Sequence, residues 1–331
     1  MEKKFTNWGI IGLGKIAHKF ARDLLLVPGA RLSAVASQSQ ERSDQFAAQY
    51  RARFAYGSYE DILDCPELDA VYIATPHVSH AALSIQCLER KIPVLCEKPF
   101  AMNTREVCRM IAAAKANDTF LMEAMWTRFF PLIEKTFEIV QSGAIGDLLT
   151  LKADFGFHAP QEPDSRIYSK KLGGGAILDV GIYPLVLSLW LFGKPEKIST
   201  MTTFTHTGVD ESCSILLDYG GNRMANLYAS LKTQTEVEAT LFGTKGKLRL
   251  YDPFHHPRQL SHELYYRDTH TLRHNYPGNG YQFEIIEVMD CLQKGLKESP
   301  KMPLDFSLQL IELLDAVRAS AGMHYEQDDS D

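Results

Sequence analysis

The chain has 331 residues, 45% hydrophobic and 23% charged, with a net charge of −6. That length fits two domains at about 100–200 residues each, and the ordinary apolar share can build a sizeable core. The acidic balance, with no basic stripe, argues against nucleic acid as a partner. No unbroken apolar run reaches the ~20 residues of a membrane span, and the glycine-broken start MEKKFTNWGIIGLG does not read as a signal peptide.

In chain order, the first ~125 residues alternate strand and helix patterns. WGIIGLG is a strand entering a glycine turn, and IAHKFARDLLLV is a helix stopped by Pro28-Gly29. RLSAVAS and QERSDQFAAQYR follow as strand and helix, with Ser39 or Ser37 as N-cap. A short strand at Arg53–Ala55 leads to AVYIATP, almost wholly apolar, as strands covered on both faces are. HVSHAALSIQCLERK, PVLCEKP, TREVCRMIAAAKAN and TFLMEAMW continue the alternation. The pattern predicts α/β structure: a doubly wound parallel sheet over 1–125. After the helix FFPLIEKTFEIVQSG, strands follow one another: DLLTLKADFGF, KISTMTTFTH, ESCSILLDYG, RMANLYASL, EVEATLFGT and GKLRLYD. They predict an α+β domain over 126–322 with a large, open, mostly antiparallel sheet. Two helices, FEIIEVMDCLQKG and LDFSLQLIELLDAVRASAG, close it, and the acidic tail 323–331 reads as disordered. Trp190 and Phe192 read as core, His255 and His256 as an exposed Pro-flanked pair. Cys65, Cys87, Cys96, Cys108, Cys213 and Cys291 form no CxxC pair, which fits reduced thiols in the cytoplasm.

Gly12-Leu13-Gly14-Lys15-Ile16-Ala17 fits G-x-G-x-x-G/A between a strand and a helix. Gly12 permits the turn, Gly14 leaves room for a pyrophosphate, and the helix N-terminus favours its charge. The bland alternative is a glycine turn without a ligand. An NAD-preferring site carries Asp or Glu about 20 residues later. Here Ser37, Gln38 and Ser39 occupy that place, and Arg42 follows. Small hydroxyls and an arginine tolerate a 2′-phosphate, which tilts the reading to NADP with NAD possible; Arg42 could equally cover its own helix face.

Lys98 ends the strand PVLCEKP beside Glu97, and Pro99 restrains the next peptide, cis or trans. Parallel strands present ligands at their carboxyl ends, where a lysine can donate to a substrate oxygen and tune a neighbouring acid. In GGGAILDVGIYPL, residues 173–185, Asp179 and Tyr183 stand four apart and share a helix face. Alone they could be a carboxylate near a helix dipole and a tyrosine with a buried hydroxyl. With Lys98 they form an acid–base group and a carboxylate that grips a hydroxyl. His77 and His80, three apart, have ligand spacing in principle, but no metal site is expected. Tyr281 could reach a substrate cleft.

Together, GIIGLGKIA, ATPHVSHA, VLCEKPFAMN, FLMEAMWTRFFP, GGGAILDVGIY, GTKGKLRL and KESPKMPL make the chain resemble the glucose–fructose oxidoreductase/inositol dehydrogenase (Gfo/Idh/MocA) family. The likeness covers nearly the whole chain and is nearest to the family's dihydrodiol branch. It implies a Rossmann domain, then an open-faced sheet through which a homodimer forms. It implies Lys98, Asp179 and Tyr183 as catalytic residues, Tyr183 standing where many members have histidine. It implies cofactor contacts from Gly12, Gly14, Lys15, Ile16, Ser37, Gln38, Arg42, Thr75, Pro76, His77, His80, Glu97 and Lys98. An aromatic wall by the nicotinamide maps to Trp126, Arg128 and Phe129. One departure is the absence of an arginine at or beside Gln38. The expected activity is NAD(P)-dependent hydride transfer to or from a hydroxyl carbon of a sugar, polyol or trans-dihydrodiol. Two alternatives stand beside it. A non-catalytic sensor of the same fold would not need Lys98, and a cofactor-retaining oxidoreductase would need an arm around the nucleotide.

Overall fold

Apolar strands alternating with helices build the first half of the chain. The computed structural model describes residues 5–160 and 165–329. Its order begins β1 (Thr6–Ile11), α1 (Lys15–Leu24), β2 (Ala30–Ala36), α2 (Gln40–Tyr50), β3 (Phe54–Tyr56) and β4 (Ala70–Ile73). It continues with α3 (His80–Glu89), β5 (Val94–Glu97), α4 (Thr104–Ala116) and β6 (Leu121–Ala124). The six strands are parallel, in the order β3-β2-β1-β4-β5-β6. Winding therefore reverses between β1 and β4, and a crevice at the strand ends is the expected ligand position. Every residue of β4 is buried, as a sheet covered on both faces requires.

Local chemistry sets the helix starts. Ser39 caps α2 by accepting from the Arg42 N–H at 3.4 Å. Asn103 accepts from the Glu106 N–H at 3.0 Å while Glu106 accepts from the Met102 N–H, a reciprocal cap on α4. Helix α1 has Gly14 as its N-cap, which has no side chain to accept from the helix's first N–H groups.

The later elements are α5 (Pro131–Gln141), β7 (Leu148–Gly156), α6 (Ile182–Phe192), β8 (Lys197–Phe204), β9 (Asp210–Asp218) and β10 (Met224–Ser230). They are followed by β11 (Ala239–Gly243), β12 (Gly246–Leu250), β13 (Gln259–Leu264), β14 (Thr269–Arg273), α7 (Gln282–Gln293) and α8 (Leu304–Ala321). The eight strands form one sheet in the order β14-β13-β12-β11-β7-β10-β9-β8. Every pairing is antiparallel except β7 with β10. Helix α6 and the π-helical turn Ile177–Gly181 before it pack on β7 and β10. Elsewhere on the sheet Met201 is 79% exposed, and Leu216 and Met224 are 54% exposed each.

The chain clusters into two compact units, and their limits differ from the expected 1–125 and 126–322. One holds Met1–Phe129 with Tyr276–Leu308, the other Phe130–Asn275 with Gln309–Asp331. The chain re-enters the first unit because α7 packs on α1. Asp23 of α1 also accepts the Asn279 and Tyr281 N–H groups at 2.9 Å.

Other expectations need correction. The tail is not uniformly disordered: Tyr325 is fully buried and Asp328 pairs with Arg318 at 2.7 Å, while residues 330 and 331 lie outside the described residues. His255 is buried, since the rings of Phe155, Tyr183 and Phe254 surround it. Trp190 and Phe192 are only half-buried, packing on the rings of Phe137 and Tyr219 respectively. Strand β14 is not legible in the sequence because all five residues of THTLR are exposed, leaving no apolar alternation to read. The stretch Lys170–Phe192 is long and apolar enough to cross a membrane, but 83% of its most apolar window is buried inside the protein.

The two turn glycines differ in what a side chain would meet. Gly12 has φ +90°, and a Cβ there would stand 2.8 Å from the Ala74 carbonyl. At Gly14 no atom lies within 4 Å of that position. Gly12→Ala should therefore destabilise the fold by about 1–3 kcal/mol, and Gly14→Ala by at most ~1 kcal/mol. Urea unfolding of both variants tests this; equal stabilities would show that the turn relaxes around a side chain.

Candidate active site

In the first unit, the expected cofactor residues gather at the carboxyl ends of β1, β2, β4 and β5. Gly14, Lys15 and Ile16 form an exposed rim, and Ala17 is buried beneath it. Arg42 reaches back to this turn, donating from Nη2 to the Leu13 carbonyl at 3.2 Å. Ser37 is buried and its hydroxyl serves its own loop, donating to the Ser39 carbonyl at 2.8 Å and lying 3.0 Å from Ser43 Oγ. Gln38 is the exposed member of the trio. Beyond β4, Pro76 is half-buried, His77 is buried, and the buried Thr75 hydroxyl has no hydrogen-bond partner among the described residues. His80 presents Nε2 to the Thr75 carbonyl at 2.9 Å and Nδ1 to the Pro99 carbonyl at 2.8 Å. It ties two loops together, and no group of three or more metal-ligating side chains occurs among the described residues.

Lys98 is half-buried at the end of β5, before a cis Lys98–Pro99 peptide. Glu97 is held from two sides: the Tyr72 hydroxyl donates to one oxygen and the Lys98 N–H to the other at 3.1 Å. Two further carboxyl groups lie in the same unit. Glu123, opposite Cys96 in the sheet register, is pushed up to about 7, chiefly by burial. Glu284 on α7 is raised well above the carboxylate range by burial and then by Glu97, and neither of its oxygens has a hydrogen-bond partner among the described residues. Trp126 is buried and stacks on Tyr281 at 4.6 Å with an interplanar angle of 17°. Arg128 donates to the Lys301 carbonyl at 3.1 Å, and Phe129 is buried.

A dinucleotide suits these residues. The uncapped helix start, the open space at Gly14 and the unsatisfied Thr75 hydroxyl offer N–H donors, clearance and a further polar contact.

The second unit carries Asp179 and Tyr183. Asp179 lies in the π-helical turn and Tyr183 one turn later in α6; both are buried. Asp179 pairs with Arg166 at 2.5 Å, a partner not singled out from the sequence because it lies 13 residues upstream in a separate 3-10 turn, Arg166–Tyr168. Tyr183 sits among aromatic faces: His255 at 4.7 Å and Phe155 at 5.5 Å, which stack on each other at 4.4 Å. Phe155 occurs in a plain strand pattern and His255 in a loop, so neither carries a readable signal. Lys98 thus belongs to one unit, and Asp179 and Tyr183 to the other.

A doubly wound sheet with a dinucleotide-suited glycine turn and a lysine at a strand end defines a nicotinamide-dependent oxidoreductase. Residues 6–125 match the oxidoreductase family with an NAD-binding Rossmann fold, and 133–249 match the GFO/IDH/MocA C-terminal domain. The chain belongs to the GFO/IDH/MocA oxidoreductase family. It is 37% identical to trans-1,2-dihydrobenzene-1,2-diol dehydrogenase of Homo sapiens over 97% of this chain and 98% of that one. The Bos taurus protein of the same name is 36% identical with the same coverage. Among solved structures, a 3-ketoreductase from Actinomadura kijaniata in complex with NADP and TDP-benzene superposes with a TM-score of 0.87 at 23% identity, covering 96% of this chain and 98% of that one. An aldose-aldose oxidoreductase from Caulobacter crescentus complexed with glycerol gives a TM-score of 0.87 at 22% identity, with the same coverage. These two show the shared fold.

Burial of Glu123 has a pH signature. Its folded-state pKa of about 7 exceeds the ordinary value of 4.5, so the folded chain keeps a proton that the unfolded chain has released. Stability therefore falls as pH rises through that window. Glu123→Gln removes the titration and should gain melting temperature relative to the parent at pH 8 more than at pH 5. An equal difference at the two pH values would show that Glu123 is not the titrating group.

Proposed function

We propose that the protein oxidises a hydroxyl-bearing carbon of a trans-dihydrodiol, or a sugar or polyol of like shape, with NADP⁺ as hydride acceptor. The carrying observation is the 37% identity over 97% of the chain to trans-dihydrodiol dehydrogenases, joined to the aromatic surroundings of Tyr183. An unsaturated ring with neighbouring hydroxyls suits flat apolar faces beside a phenol and a carboxylate. Tyr183 takes the proton of the reacting hydroxyl. Lys98 stabilises the negative charge that develops as this proton leaves. Asp179, oriented by Arg166, holds the neighbouring hydroxyl. A bound nicotinamide supplies the hydride acceptor, held by the turn at Gly12 and Gly14, by Thr75 and by the residues from Ser37 to Arg42. His77, Glu97, Trp126 and Arg128 complete the cofactor side.

Lys98→Met keeps the apolar stem and removes the ammonium. It should lower kcat at least a hundredfold, ~2.7 kcal/mol, with dinucleotide affinity little changed. Near-parental turnover on a trans-dihydrodiol would remove Lys98 from the reaction and leave Tyr183 to carry the proton transfer alone.

The cofactor preference follows from Ser37–Ser39, which carry no carboxylate, and from Arg42 beside the turn. NADP⁺ should bind at least as tightly as NAD⁺ in calorimetric titration. A tenfold preference for NAD⁺, ~1.4 kcal/mol, would sink this assignment.

The exposed Met201, Leu216 and Met224 support a homodimer through the eight-stranded sheet. Sedimentation should give twice the 37.3 kDa chain mass at micromolar protein, and Leu216→Asp should shift it toward monomer. A parental protein sedimenting only as monomer contradicts the dimer. The six free cysteines agree with a cytoplasmic location; recovery of the native protein in a membrane or secreted fraction would contradict it.

A further inference from the structure

The three glycines before Asp179 are where distant parts of the second unit converge. A Cβ on Gly174 would stand 2.5 Å or less from the carbonyl oxygens of Arg166 and Ile167. Gly175 has φ +134°, and a Cβ there would stand 2.1 Å from Asp210 Oδ1 and 3.0 Å from the Tyr325 hydroxyl. Glycine is required at both places by close approach, and at Gly175 by backbone conformation too. The approaching groups bond to the turn. The Tyr325 hydroxyl donates to the Gly174 carbonyl at 2.6 Å. Asp210 Oδ2 accepts the Ile177 N–H at 2.6 Å. The Gly175 carbonyl accepts the Asp179 N–H at 3.1 Å.

Tyr325 is itself anchored. Its N–H donates to Asp328 at 2.9 Å, and Asp328 pairs with the buried Arg318 at 2.7 Å. The Arg318 guanidinium lies 5.1 Å from the Tyr325 ring and also pairs with Asp315 at 2.6 Å. Tyr325 and Asp210 are both fully buried, so these bonds form away from water.

We infer that Tyr325 and Asp210 are positioning residues for Asp179. The C-terminal segment Met323–Asp329 is then a strap that holds the glycine turn and, with it, the Arg166–Asp179 pair. Close packing of Gly174 on the backbone of Arg166 and Ile167 brings that arginine within reach of the carboxylate. Loosening the turn shifts both members of the pair. The inference rests on the reading of Asp179 as the group that holds a substrate hydroxyl.

Tyr325→Phe removes one oxygen and keeps the ring. Hydrogen exchange, read by mass spectrometry on peptides covering 174–181, should speed at least threefold, with the strands of the same unit unchanged. KM for a trans-dihydrodiol should rise about fivefold, the scale of one lost hydrogen bond, while dinucleotide Kd stays within about twofold of the parent's. Asp179→Asn should raise KM more, and Tyr325→Phe should add nothing to it, since both act on one interaction. Unchanged exchange at 174–181, or additive effects on KM, overturns the strap. A parental KM in Asp179→Asn faults the role of Asp179 instead, and the exchange result still decides whether Tyr325 holds the turn. Should Tyr325→Phe fail to fold, Asp328→Asn loosens the strap from its far side. It should give the same faster exchange and raised KM, and unchanged exchange in that variant likewise overturns the strap.

Discussion

The carboxyl ends of β4 and β5 have to be held together beyond their last paired residues, Ile73 and Cys96. Past that point the two chains turn into separate loops, one carrying Thr75 and the other Lys98. Two side chains supply the cross-ties. Tyr72 donates to Glu97, and His80 bonds to the carbonyls of Thr75 and Pro99. A cleft at strand ends is only as well defined as its loops, and these bonds join the two segments where the β4–β5 ladder has stopped. The placement of Lys98 and of the buried Thr75 hydroxyl depends on them.

The same region shows why buried acids are tolerated. An isolated buried carboxylate would be very costly, so such groups stay protonated or acquire partners. Glu284 follows the first course: its oxygens have no hydrogen-bond partner among the described residues, and burial raises its pKa. Glu97 follows the second, through Tyr72 and the Lys98 N–H. Asp210 in the other unit combines both, accepting the Ile177 N–H while burial pushes it up to about 7.

Legibility in the sequence follows the range of the interactions. Strand–helix alternation, the glycine turn and the strand-end lysine are local patterns, set by periodicity and by single-residue backbone constraints, so they can be read directly. The pairing of Asp179 with Arg166 crosses a loop, and the bond of Tyr325 to Gly174 spans 151 residues. No spacing rule encodes such contacts. His255 reads wrongly as exposed because prolines and adjacent histidines look like an open loop. Its burial depends on rings at Phe155 and Tyr183 that only the folded sheet and α6 bring together. The tail misleads likewise: YEQDDSD is acidic in composition, yet Arg318 neutralises Asp328 and Tyr325 carries the buried apolar surface.

Substrate choice cannot reside in the fold. At 22–23% identity the backbone is shared, with TM-scores of 0.87, by proteins named as a 3-ketoreductase and an aldose-aldose oxidoreductase. A fold this widely shared leaves selectivity to the side chains placed on it. In this chain those near Tyr183 are aromatic: Phe155 on β7, and His255 in the loop before β13. Flat, weakly polar faces discriminate by shape and stacking. On the proposed reading they favour a ring with π character over a fully hydroxylated sugar, whose polar groups would lose water without gaining partners. In the proposed function the Arg166–Asp179 pair supplies the complementary demand for a hydroxyl. On the proposed reading, a substrate that answers both joins an apolar planar face to neighbouring hydroxyl groups, as a cyclic dihydrodiol does.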